Sequence, residues 1–352
     1  MSNRKITIHI GTYKTATSSL QHSLARSGAV LADAGVKYAS TGLNETLSKH
    51  LQIFDRIIDS PYNRTRHERQ RTVDYLSGLV DEVREPGVEH LLISEEEFSY
   101  PTPEIAQYFA PLRDQADVQV VMVVRPQTEL LESLYLQFMK EPKRQITAPF
   151  EEYLEERETI ERGLFDRILE PWSEAFGHEA IRVMDFRDLV AEGAITGFAR
   201  RLGLPTDLVE PPAHLNRSIT PAAGELIRRV AAERPEFSRM EMARVLQELE
   251  QDRKTTLVTK DLRKSIERRF RRSNKHLNAR YGVDLTSGSR SRRRPVDQAS
   301  LDHAVLQLST QAFVALWDRN LDARKRIGKL SRGRDDAALT EALDDIKSAL
   351  PW

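Results

Sequence analysis

The stretch Lys5-Ile6-Thr7-Ile8-His9-Ile10-Gly11-Thr12-Tyr13-Lys14-Thr15-Ala16-Thr17-Ser18-Ser19-Leu20-Gln21 changes its apolar period partway along. Ile6, Ile8 and Ile10 are β-branched and alternate, which predicts a strand over residues 5–10. Gly11 breaks it. From Thr17 the spacing of Leu20, Leu24, Val30 and Leu31 becomes helical, so a helix starts inside the hydroxyl-rich run and ends near Gly35. A strand, a tight loop and a helix N-terminus make an anion-binding site, because the first-turn N–H groups and the positive end of the dipole face the loop. Lys14 adds a mobile positive charge, and Thr15, Thr17, Ser18 and Ser19 add hydroxyl donors, a set that suits a phosphate or a sulfate. The stretch is not a full G-x-x-x-x-G-K-[ST] loop, since only Gly11 and Lys14-Thr15 remain at a shorter spacing. A Ser/Thr-rich helix cap with an exposed lysine is the plain alternative.

Outward from this turn, strands and helices alternate. Residues 36–39 predict a short strand, and residues 44–58 and 64–83 amphipathic helices. Residues 90–94 read as a buried strand running into Glu95-Glu96-Glu97. Pro101 and Pro103 open a helix to about Arg113. Residues 118–124 form the most continuous apolar run, which predicts the centre of a parallel sheet covered on both faces. A helix follows Arg125-Pro126, residues 150–176 are helical, and residues 180–184 predict a last strand, with helices around Asp188 and over 194–202. This alternation predicts an α/β fold with three layers, α/β/α, around a mainly parallel sheet, as in P-loop nucleotide-binding proteins, plus a helical C-terminal region.

After Pro211-Pro212 the pattern over 219–281 is helical only, with a basic run over 263–272. Residues 287–297 predict a basic loop or linker. Residues 298–328 and 336–349 predict helices of a C-terminal extension, 298–352, whose Phe313, Leu316 and Trp317 predict docking on the main body or on another copy. The expected organisation is an α/β domain over 1–286, the loop, and that extension.

Of 352 residues, Lys plus Arg and Asp plus Glu number 53 each, which argues against a dedicated nucleic-acid binder. The absence of cysteine excludes a disulfide scaffold, a thiolate metal site and a cysteine nucleophile. No apolar run approaches a membrane span, and a strand starting at residue 5 leaves no room for a signal peptide. A cytoplasmic protein is the expectation, in which the sequons at Asn44, Asn63 and Asn216 carry no meaning.

Ligands of open α/β sheets bind at the carboxyl ends of the strands. Three predicted strands deliver polar residues there: Ile10 leads to Lys14, Ser94 to the glutamates and Val124 to Arg125. Ser133 lies eight residues beyond Arg125 on the next helix. Lys14-Thr15-Ala16-Thr17-Ser18 after an N-terminal strand resembles the 5′-phosphosulfate loop of sulfotransferases, whose pattern is Lys-[Ser/Thr]-Gly-[Thr/Ser]-[Thr/Ser]. Ala16 departs from it, since the family has glycine there. Arg125 with Ser133 resembles the same family's 3′-phosphate site. Phe150 to Tyr153, Trp172 to Gly177, Asp185 to Leu189, Leu202 to Pro205, Asn216 to Ser218 and Asn274 to Leu285 extend the resemblance, to a bacterial sulfotransferase domain, over roughly residues 4–286.

The resemblance implies 3′-phosphoadenosine 5′-phosphosulfate (PAPS) as donor, no metal, and in-line transfer of a sulfuryl group to an acceptor hydroxyl or amine. It implies that Gly11, Tyr13, Lys14, Thr15, Ala16, Thr17 and Ser18 hold the 5′-phosphosulfate, with Lys14 stabilising the leaving phosphate. Arg125 and Ser133 would hold the 3′-phosphate, and Arg217 and the cluster over 268–272 would cover the adenine or the 3′-phosphate, a solvated basic face being the plain alternative. A hydroxyl acceptor needs a base. Glu96 is the first candidate, because the nearest branch of the family has a glutamate just after this strand, and flanking carboxylates with partial burial raise a carboxyl pKa. The other reading is a solvated acidic turn, or a capping box from Ser94 to Glu97. His50 is the second candidate. Two rivals stand beside this reading: a P-loop kinase or NTPase, which needs a strand-end carboxylate for magnesium, and a non-catalytic interaction module on a degenerate sulfotransferase fold, which Ala16 favours. The expected partners are a small-molecule, carbohydrate or lipid acceptor and a second copy through the C-terminal helices.

Overall fold

The computed structural model describes residues 4–46, 48–60, 63–141, 144, 146–211, 218–249, 254–286 and 293–332. Its contacts divide the chain into two units. One comprises Met1–Tyr135, Pro149–Arg217 and Lys260–Arg292, the other Leu136–Ala148, Ser218–Thr259 and Arg293–Trp352.

The first unit is built on five parallel strands, β1 (Lys5–His9), β2 (Val36–Tyr38), β3 (His90–Ser94), β4 (Asp117–Val124) and β5 (Ile181–Asp185), in the order β2-β3-β1-β4-β5. All five coincide with predicted strands. The middle strand is β1 rather than β4, which pairs with β1 on one side and β5 on the other. β4 reads as near-continuous apolar sequence because helices cover both its faces, and five of its eight residues are buried in succession, Val120 to Val124.

Period-two alternation sends the strand residues to two cores. On one face Leu92, Val121, Val123 and Met184 pack with Leu20 and Leu24 of α1 (Thr17–Arg26), Leu31 of α2 (Gly28–Asp33), Leu189 of α11 (Phe186–Ala191) and Phe198 and Leu202 of α12 (Ala194–Leu202). On the other lie α6 (Pro103–Phe109), whose Phe109 stacks on Trp172, and α10 (Phe165–Phe176), which packs on β4 and β5. This is a three-layer α/β/α architecture. The remaining helices of the unit are α3 (Leu51–Ile57), α4 (Arg64–Gln70), α5 (Tyr75–Arg84), the first part of α7 (Gln127–Lys140), α8 (Phe150–Tyr153), α9 (Arg157–Arg162) and α15 (Lys260–Tyr281).

Several long predicted helices are divided, three of them where a side chain competes for the backbone. The first breaks at Ser27, whose hydroxyl donates to Ser23 O at 2.8 Å and accepts from Val209 N at 2.8 Å. Residues 44–46 and 48–49 form a loop instead of a helix, with Asn44 Oδ1 accepting from Ser48 N and Lys49 N, each at 3.1 Å. The predicted helix over 64–83 breaks before Asp74, which caps α5 by accepting from Ser77 N. The run over 150–176 is three helices, divided at Glu156 and at Gly163-Leu164.

The second unit holds the end of α7, α13 (Pro221–Glu233), α14 (Arg239–Glu248), α16 (Gln298–Arg332) and two short strands, β6 (Thr255–Thr256) and β7 (Arg294–Pro295), which pair in parallel. β6 corrects the helix-only reading of 219–281, and β7 falls inside the predicted linker. The predicted helix over 336–349 lies outside the described residues. Among the described residues no helix is long and apolar enough to cross a membrane.

Candidate functional site

The carboxyl ends of β1, β3 and β4 lie side by side, so the loops that follow them meet. After β1 the chain turns through left-handed backbone at Gly11 (φ 56°), Lys14 (φ 63°) and Ala16 (φ 61°) before α1 begins at Thr17, where the sequence predicts it. No side chain caps α1, so its first-turn N–H groups and dipole face the loop as an anion site requires. Glycine suits position 11 on two counts. Its φ is left-handed, and a Cβ there would come within 3.2 Å of Glu96 Cα, where the turn after β3 crosses. Ala16 occupies the place where the sulfotransferase pattern has glycine, and it does so in a conformation that costs an L-residue about 1 kcal/mol.

The loop is pinned from within and from β4. Thr12 Oγ1 donates to Val123 O at 2.8 Å, and Thr15 Oγ1 and Thr17 Oγ1 donate to Thr12 O at 2.7 and 3.1 Å. Two of the hydroxyls counted as phosphate donors are therefore also internal struts. Arg125, at the end of β4, reaches the loop directly: Nη1 donates to Lys14 O at 2.8 Å and Nη2 to Glu129 Oε2 at 2.7 Å. Its guanidinium lies 5.5 Å from the Phe186 ring centroid, and its buried Nε has no partner. Glu129 was missed in the sequence, although its spacing of four residues from Arg125 on a helix signals such a pair. Ser133 is half-buried one further turn along α7, on the face that carries Glu129 by helical spacing.

Behind Arg125, Gln127 bonds Asn274 of α15 in both directions, at 2.7 and 3.0 Å, and donates to Gly163 O at 3.0 Å. Helix α15 thus buttresses the start of α7. Of the basic run, Arg263 donates to Thr128 Oγ1 at 3.5 Å and Arg269 binds Leu154 O and Glu155, while Arg268, Arg271 and Arg272 are exposed. Arg217 lies outside the described residues.

The three glutamates after β3 have three environments. Glu95 is 1% exposed. Its Oε1 accepts from Glu97 N at 3.1 Å, while Oε2 is buried without a partner. Burial pushes this carboxyl up to about 8, against the pull of Lys49, with Glu96 and Glu97 adding to the rise. Glu95, not Ser94, therefore caps the 3₁₀ turn Glu96–Ser99. Glu96, the predicted base, pairs with Lys49 Nζ at 2.8 Å, and its side chain is 17% exposed. Burial opposes the Lys49 charge, but Glu96 and Glu95 outweigh it and raise its pKa. Glu97 accepts from Tyr13 Oη. Tyr13 in turn lies under the Arg162 guanidinium, 4.8 Å from its ring centroid, and Arg162 donates to Glu158 at 2.7 Å. Burial works against the Arg162 charge, yet Tyr13, Glu97 and Glu158 together raise its pKa. Burial raises the Tyr13 pKa, with Arg162 opposing and Glu97 reinforcing it. Arg162 carried no sequence signal, because only folding brings it to Tyr13.

His50 precedes α3 rather than lying on it. It is fully buried, and both ring nitrogens face main chain: Nδ1 lies 3.1 Å from both the N and the O of Ser94, and Nε2 lies 3.0 Å from Ala39 O. Burial lowers its pKa to about 4, against its bonds to Ser94 and Ala39. Those bonds tie the end of β3 to the segment after β2, a structural task that leaves no ring nitrogen for proton transfer. Among the described residues, no group of three histidines or carboxylates could hold a metal ion.

No protein-family model and no curated protein sequence matches the chain. A crystal structure of a sulfotransferase from Alicyclobacillus acidocaldarius is similar to 68% of this chain and 94% of its own, at 16% sequence identity and a TM-score of 0.36.

Proposed function

We propose that the chain is a sulfotransferase that moves a sulfuryl group from PAPS to an acceptor hydroxyl or amine. The observation that carries this reading is the contact between Arg125 and the Lys14 carbonyl at 2.8 Å. It supports a reading in which the two cationic anchors, one early and one mid-chain, grip the two ends of a single doubly phosphorylated adenosine. The donor supplies an activated sulfuryl group on a phosphate leaving group, and the protein's task is to compensate charge along the line of transfer.

In this reading the uncapped first turn of α1 and the Ser18 hydroxyl hold the 5′-phosphate, and the hydroxyls of Thr15 and Thr17 join them by turning from Thr12 O. Lys14 neutralises the charge that develops on the bridging oxygen. Arg125 and Ser133 hold the 3′-phosphate. Glu129 keeps the guanidinium of Arg125 turned toward the loop before the donor arrives, and Tyr13, clamped between Glu97 and Arg162, fixes the loop from its other side. Glu96 accepts the acceptor's proton, oriented by Lys49. Glu95, protonated at neutral pH and shut away from solvent, is a support for the turn and not the base.

Titration calorimetry with 3′-phosphoadenosine 5′-phosphate tests the reading. Tight binding that weakens about 30-fold or more in Arg125→Ala is expected from the loss of a charge-assisted bond. Failure of the wild-type chain to bind refutes it. Transfer of labelled sulfate from PAPS to candidate acceptors, lost in Lys14→Ala and Glu96→Gln, tests the chemistry.

A further inference from the structure

Helix α16 is apolar on two opposite sides. Leu301, Val305, Leu308 and Ala312 are buried on one side, where the helix packs against α13 and α14. About 150° round the helix, a second stripe stands in solvent: Leu306 is 66% exposed, Phe313 64%, Val314 52%, Leu321 40% and Trp317 37%. Phe313 and Trp317 touch each other, with ring centroids 6.0 Å apart. The stripe runs about 22 Å along the helix at 1.5 Å per residue. Scattered exposed apolar residues are ordinary, but a contiguous row on one helix face marks an interaction surface.

We propose that this stripe is the interface of a homodimer, in which the α16 helices of two copies pack antiparallel about a two-fold axis lying between Phe313 and Val314. The sequence of the stripe is self-complementary about that point. Leu306 faces Leu321 of the second copy, Phe313 meets Val314 and Phe313 of the second copy, and Trp317 lies against the exposed, smaller Thr310 of the second copy. Such reciprocity is what a two-fold interface demands, and the alternation of large and small side chains lets the helices approach. An antiparallel helix of the same length covers the whole row from Leu306 to Leu321.

The chain has no cysteine, so a single introduced thiol reports the geometry. In the full-length protein, sedimentation equilibrium is expected to show a dimer, and Phe313→Glu to weaken association by about 100-fold or more, because the change strikes both sides of the axis. Far-UV circular dichroism of this variant is expected to match wild type, since the side chain is exposed in one copy. Under mild oxidation Phe313→Cys is expected to cross-link to itself, whereas Leu306→Cys links only when mixed with Leu321→Cys. A monomer at every concentration, a dimer that Phe313→Glu leaves intact, or self-linking by Leu306→Cys in place of Phe313→Cys overturns the proposal.

Discussion

Glu95→Gln swaps a buried carboxyl for a neutral side chain of nearly the same shape, and its effect on stability has a sign fixed by the structure. The Glu95 pKa is raised from 4.5 to about 8, chiefly by burial. Between those values the folded protein keeps a proton that the unfolded chain has released. The stabilising effect of the protonated group is therefore complete below the unfolded pKa and is lost progressively as pH rises toward the folded one. At 1.36 kcal/mol per pH unit the loss reaches roughly 3 kcal/mol by pH 7 and levels off near pH 8. Glutamine has no proton to lose, and its amide oxygen can still accept from Glu97 N. The variant should match wild type at about pH 5 and exceed it increasingly through pH 6, 7 and 8. Urea unfolding of both proteins at those four pH values reads this as a widening gap in midpoint at constant slope. A gap that does not change with pH, or a glutamine variant that loses ground as pH rises, would refute the assignment of a protonated, buried Glu95.

Ala16→Gly should relieve the left-handed strain but add unfolded-state entropy, leaving stability within about 1 kcal/mol of wild type by thermal unfolding, with donor-analogue affinity equal or tighter. His50→Ala removes two buried bonds to main chain and should cost about 2–3 kcal/mol in urea unfolding; a transfer rate that falls while stability is unchanged would instead mark it as the base. Gly163→Ala would put a methyl 2.6 Å from Phe270 Cε1, and overpacking there should cost about 1–3 kcal/mol by the same assay. Arg162→Met keeps the bulk beside Tyr13 without the charge; weaker analogue binding with little change in the Lys14→Ala background would identify Arg162 as acting through the loop.

The sheet was legible because burial on both faces leaves a plain mark: His90 to Ser94 and Val118 to Val124 can be little other than covered strands. Helix ends were less so, since the breaks at Ser27 and Asn44 depend on side-chain bonds that periodicity does not register. The first loop and Arg125 could be found from local pattern and spacing. The glutamates could not be told apart. Whether position 95, 96 or 97 is the buried one depends on where β3 stops and which way the chain then turns, and that is decided by packing against Gly11 and Lys49. Arg162 and Asn274 lie far along the chain from the groups they support, so no window of sequence contains both partners.

The register of β1 has a consequence for how the chain comes to be folded. Lys5 pairs with His90 on one side and with Asp117 on the other, so β1 must wait for partners synthesised much later. Both its ladders close large loops, which slows assembly. A nascent chain that has not yet reached Val124 carries Ile6, Ile8 and Ile10 with an open edge, a segment apt to pair with strangers. Seating the first loop on the middle strand thus requires two long loop closures before the site can form.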